Sequence, residues 1–69
     1  MAYNLEEIKN IFAKYFDGVY SFEKMKDIIK KTKKVNGYIK KIILKSSPNE
    51  IQKIFSQLKK DKLPKEFIG

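Results

Sequence analysis

Apolar side chains in this chain recur every three or four residues in four successive stretches, and short turn-forming groups separate the stretches. That period lays apolar residues along one side of an α-helix, whereas a half-buried strand would need strict alternation. In the first stretch Leu5, Ile8, Ile11, Phe12, Tyr15 and Phe16 share one arc, with Asn4 placed to cap the helix and Glu7 at its third position. Asp17-Gly18 ends it, glycine supplying the left-handed cap. Ser21 caps the second helix, whose apolar face is Phe22, Met25, Ile28, Ile29, Thr32 and Val35 and whose other side carries Lys24, Lys26, Lys30, Lys31, Lys33 and Lys34. Asn36-Gly37 is expected to stop this helix, with Gly37 at positive φ.

The third stretch admits two readings. Tyr38, Ile39, Ile42 and Ile43 recur at helical spacing, with Leu44 off that face, yet an Asn-Gly pair between apolar residues is also a strong hairpin signal. A hairpin would set Val35 against Tyr38 and Lys33 against Lys40, and the like-charge pair disfavours it. A short helix is therefore the preferred reading. The fourth stretch has the clearest start: Ser47 as cap, Pro48 at the first helical position and Glu50 closing a capping box, followed by Ile51, Ile54, Phe55 and Leu58. Leu63, Phe67 and Ile68 of "LPKEFIG" are expected to fold back as a last turn. The expected fold class is all-α, a single domain over residues 1–69 built as a small bundle of three to four amphipathic helices. The alternative is an α+β domain with a hairpin at Val35-Tyr38.

A chain of 69 residues supports one core of marginal stability, so a homodimer would fit. Cysteine and histidine are both absent, which removes disulfides, thiolate and imidazole metal ligands, a cysteine nucleophile and the commonest general base. The carboxylates are dispersed, so neither catalytic residues nor a cofactor or metal site is expected, and the protein is read as a non-enzyme. "MAYNLEEIKN" places acids where a secretory signal needs cations and an apolar run. No segment approaches the roughly 18 apolar residues of a spanning helix, which makes the cytoplasm the expected location. Size and composition would fit a small phage or mobile-element protein, an association only.

The formal charge of +8 is concentrated: residues 1–23 are net −2, residues 24–45 net +8 and residues 46–69 net +2. Glu23 and Asp27 can pair with Lys26, Lys30 and Lys31 at helical spacing, while Lys33 and Lys34 have no such acid. The candidate binding set for nucleic acid or an acidic partner is therefore Lys30, Lys31, Lys33, Lys34, Lys40, Lys41 and Lys45. Lysines near a helix C-terminus also complement its dipole, which accounts for Lys33 and Lys34 without any partner. The third and fourth stretches have the outline of a helix-turn-helix, in which Asn49, Gln52, Lys53, Ser56 and Lys60 would face outward, the first four as base or partner contacts. An ordinary solvated face has the same composition, and the chain lacks arginine, the usual reader of guanine.

Three classes fit. The first is a nucleic-acid-binding module gripping phosphates through Lys30 to Lys45. The second is a protein-binding module or small inhibitor docking on an acidic or nucleic-acid-binding region of a larger protein, with Tyr3, Tyr20, Tyr38 and Phe67 as aromatic anchors. The third is a membrane-active cationic helical protein, weakened because the apolar faces are needed for the core and tryptophan is missing.

Overall fold

A computed structural model describes residues 5–68, and within them the fold is all-α. Helix α1 spans Leu5–Phe16, α2 Phe22–Lys31, α3 Gly37–Lys45 and α4 Pro48–Lys59, and a 3-10 turn covers Lys65–Phe67. The proposed cap at Asn4 lies outside the described residues. Helix α1 packs on both α2 and α4, α2 packs on α3, and α3 closes against the 3-10 turn that follows α4. The helices thus surround one core inside a body of 30 × 24 × 19 Å.

The apolar stripes read from the sequence supply that core, although Phe16 of the first and Tyr38 of the third stay exposed. Ile8, Ile11 and Phe12 enter it from α1, Met25 and Ile29 from α2, Ile39 and Ile43 from α3, and Ile51, Ile54 and Leu58 from α4. Val35 enters from the α2–α3 connection and Phe67 from the last turn. Burying a side chain of this kind contributes about 1.5–3 kcal/mol, so a bundle of this size depends on nearly every one of them.

Local chemistry sets the helix ends. At the end of α1 the Gly18 N–H donates to the Tyr15 carbonyl at 3.1 Å and the Val19 N–H to the Lys14 carbonyl at 2.9 Å, with Gly18 at φ 82°. This is a Schellman arrangement, and the left-handed residue is the predicted glycine. Helix α4 ends the same way: the Asp61 N–H reaches the Leu58 carbonyl at 3.0 Å and the Lys62 N–H the Gln57 carbonyl at 3.0 Å. Here the left-handed residue is Asp61, at φ 57°. Ser21 caps α2 by accepting the Lys24 N–H at 3.1 Å. At α4 the Ser47 N–H donates to Glu50 Oε1 at 2.9 Å while the Glu50 N–H donates to Ser47 Oγ at 3.3 Å, the reciprocal box anticipated from "SSPNE".

The centre of the chain departs from expectation. Helix α2 stops at Lys31, and Thr32 is extended at φ −70°, ψ 143°. The Thr32 hydroxyl oxygen accepts the Lys34 N–H at 3.2 Å, a local bond that competes with continuing the helix. Asn36-Gly37 does not terminate α2: Asn36 is the N-cap of α3, its Oδ1 accepting the Ile39 N–H at 3.0 Å, and Gly37 is the first helical residue. Gly18 is the positive-φ glycine among the described residues, so the expected positive φ at Gly37 is also corrected. The hairpin alternative at Val35-Tyr38 is excluded because residues 37–45 are helical. In the tail, Pro64 and Phe67 are fully buried, but Leu63 is 40% and Ile68 62% exposed, so of the three apolar tail residues only Phe67 reaches the core.

Candidate functional site

Helices α2 and α3 lie side by side, and two lysines join them. The Lys26 ammonium donates to the Leu44 carbonyl at 3.1 Å, and the Lys40 ammonium donates to the Lys30 carbonyl at 3.2 Å. Each helix thus supplies a cation to the other's last turn, where backbone carbonyls lack helical partners and the dipole is negative. Lys26 also lies 4.5 Å from the centre of the Phe22 ring. Lys40 is thus half-buried with its ammonium engaged by a backbone carbonyl, and its place in the predicted binding set is altered accordingly.

Two more members of that set have acids beside them. Lys31 Nζ is 3.1 Å from Asp27, four residues back on α2, and Lys34 Nζ is 3.9 Å from Glu7 on α1. The view that Lys34 lacks a counter-charge is corrected by the folding of α1 against this end of α2. Lys31–Asp27 is exposed on both sides and worth about 0–1 kcal/mol, and at 3.9 Å the Lys34–Glu7 contact, with Glu7 half-buried, is long. Lys30, Lys33, Lys41 and Lys45 remain exposed with no ion pair to any described residue. Lys41 and Lys45 are four residues apart on the outward side of α3, and Tyr38, 48% exposed, shares that side at three- and seven-residue spacing.

The second cluster sits on α4. Asn49, Gln52, Lys53 and Ser56 are exposed, as predicted. Gln52 and Ser56 also line an open groove of about 560 Å³ with Phe16, Phe55, Lys59 and Lys60; Asn49 and Lys53 do not. The helix-turn-helix outline survives as chain order, with Ser46 and Ser47 alone joining α3 to α4, while the principal packing partner of α4 is α1.

An aromatic row crosses the groove's end of the bundle. Phe16 stacks on Phe55 with centroids 4.9 Å apart and planes at 17°, Tyr15 adjoins Phe16 at 4.8 Å, and Phe22 follows at 5.6 Å from Tyr15. Lys59 Nζ lies 5.4 Å from the Phe55 ring centre. Phe16 is 40% exposed, although helical periodicity assigns it to the core face. It occupies the last position of α1, at the margin of that face, and no pattern within one helix reveals that Phe55 of another helix will lie beneath it. Of the aromatic anchors expected from sequence, Tyr38 is exposed, Tyr20 is half-buried with Lys14 Nζ 5.8 Å from its ring, and Phe67 is fully buried, which removes it from any interface. Tyr3 lies outside the described residues.

The described residues contain no group of three or more carboxylates able to hold a metal ion, and none of their helices is long and apolar enough to cross a membrane. No family model, curated protein or solved structure matches the chain.

Proposed function

We propose that the protein is a non-catalytic binding module, with the cytoplasm as its setting, that meets the phosphates of nucleic acid through the surface formed by the end of α2, the α2–α3 connection and the outward side of α3. The observation that carries this reading is the set of four exposed lysines, Lys30, Lys33, Lys41 and Lys45, for which the fold supplies no counter-ion among the described residues. Such charges repel one another, and that cost is recovered when counterions condensed on a polyanion are released. Lys31 and Lys34 border the set, themselves exposed, with Asp27 and the half-buried Glu7 beside them.

The test is fluorescence anisotropy with a labelled duplex across a salt series. If all four lysines contact phosphate, changing Lys30, Lys33, Lys41 and Lys45 together to Gln should flatten the slope of log K against log salt by about 3–4, from roughly 0.9 counterion per contact. Lys26 and Lys40 are left in place because they donate to backbone carbonyls. Equal affinity of the folded variant and the parent for duplex at every salt concentration would remove the lysine surface from nucleic-acid binding.

Exposed Tyr38 beside Lys41 and Lys45 favours a second reading, in which the same side of α3 docks on an acidic protein surface with the tyrosine as anchor. Tyr38→Ala separates the two. It should leave a phosphate-driven salt slope intact but abolish a protein interface centred on the ring.

A further inference from the structure

We propose that the groove between α1 and α4 is a second contact site, in which an unstacked base of single-stranded DNA or RNA lies on the Phe16 ring while Lys59 and Lys60 meet the adjoining phosphates. The inference rests on the nucleic-acid reading above and adds the form of nucleic acid recognised. Its support is independent of the α2–α3 lysines. The groove, about 560 Å³, falls within the roughly 300–1,000 Å³ of typical ligand pockets. Phe16 is held in place by the nearly parallel Phe55 ring at 4.9 Å and by Tyr15 at 4.8 Å, so a base would add to a stack already ordered. That lowers the entropy lost on binding.

The rim matches the ligand's other parts. Lys59 and Lys60 line the groove and are exposed, with no ion pair to a described residue, and so bring uncompensated positive charge to its edge. Gln52 offers an amide and Ser56 a hydroxyl, groups able to donate and accept along a base edge. Exposed aromatic rings set among lysines are the recurring means of holding single strands, because every base has a face to stack and every nucleotide a phosphate to neutralise. A duplex keeps its bases stacked inside and cannot use Phe16 this way. The two surfaces therefore make different demands: the α2–α3 lysines bind any polyanion, and the groove favours unpaired strands.

The experiment compares a labelled oligothymidylate, an abasic oligomer of equal length and charge, and a duplex, each bound to the full chain and to Phe16→Leu. Leucine retains apolar bulk at a partly exposed position, and a thermal melt checks that the variant folds. The parent should bind oligothymidylate roughly 5- to 150-fold more tightly than the abasic strand, the range expected from stacking one base. Phe16→Leu should erase most of that ratio and leave duplex affinity unchanged. If the parent binds the thymidylate and abasic strands equally while duplex binding still depends on the α2–α3 lysines, the groove proposal falls and the phosphate reading stands. If no polyanion binds at low salt, both fall. Sedimentation of the free protein gives a further arm: a dimer that Phe16→Leu disperses would put a second copy of the chain in the groove and overturn the proposal.

Discussion

Phe67→Ala is the perturbation that most directly asks whether the short tail completes the domain. Phe67 is fully buried, and it is carried by a 3-10 turn of three residues that packs on α3. The turn is tied to α4 by Gln57, whose Oε1 accepts the Lys65 N–H at 3.2 Å and whose Nε2 donates to Glu66 at 3.5 Å. Removing a fully buried phenylalanine ring costs about 3–5 kcal/mol. A domain of 69 residues at about 0.05–0.15 kcal/mol per residue has only about 3–10 kcal/mol in total. The substitution should therefore remove about 30% of the stability or more. With a urea slope of about 1–2 kcal/mol per M, the midpoint followed by far-ultraviolet circular dichroism should fall by about 1.5–5 M or the chain should be unfolded without denaturant. Ile68→Ala is the control: at 62% exposure it should change stability by less than about 0.5 kcal/mol. A Phe67→Ala midpoint within about 0.3 M of the parent would show that the four helices close their core without the tail, and would refute the argument.

Ser47→Ala removes the hydroxyl that accepts the Glu50 N–H and should cost about 1 kcal/mol in urea titration, with the helical spectrum retained. The Ser47 N–H first, then the Ser47 hydroxyl, with a smaller contribution from Lys53, hold the Glu50 carboxyl below its ordinary value. A folded-state pKa below the unfolded one contributes stability above the unfolded value of about 4.3 and loses it as pH falls through the lowered value. The difference in urea midpoint between parent and Glu50→Gln should accordingly be present at pH 7 and shrink in strong acid; a difference independent of pH would contradict this. Asp61→Gly relieves a left-handed residue at φ 57° and should raise the melting temperature, by up to about 1 kcal/mol in stability terms. Lys26→Gln, losing the bond to the Leu44 carbonyl, should destabilise by about 1 kcal/mol, whereas Lys45→Gln should be neutral or slightly stabilising at low salt.

How far the sequence could be read depended on how far the deciding interaction reached. Ser47, Pro48 and Glu50 announce α4 because the capping box is complete within four residues. Gly18 is equally local, since only its own φ and the preceding turn are involved. The same logic misplaces Asn36-Gly37: a cap signal between two helices can belong to either, and it belongs to α3 because the chain has already left the helix at Thr32. The charged surface was legible only in composition. Lys34 finds Glu7 on α1 and Lys40 finds the Lys30 carbonyl, and neither contact follows from residue spacing within one helix. Phe16 shows the limit most clearly, since periodicity assigned it to the interior and only the position of α4 turned it into the wall of a groove.

Seven of the twelve apolar side chains buried among the described residues are isoleucine, and Met25 is the one methionine. Isoleucine is branched at Cβ and in a helix is largely confined to a single χ1 well, so it surrenders little freedom on being buried, about 0.5–1 kcal/mol against about 1.5–2 for methionine. An interior made this way has few alternative interlocking arrangements to explore. Exchange of Ile29 or Ile54 for leucine would keep volume and hydrophobicity while moving the branch point, and the expected loss is of a single ordered state, seen as broadened methyl resonances, before any large loss of unfolding free energy. For a chain this short, stiffness of the side chains supplies the uniqueness that a larger protein draws from the size of its interior.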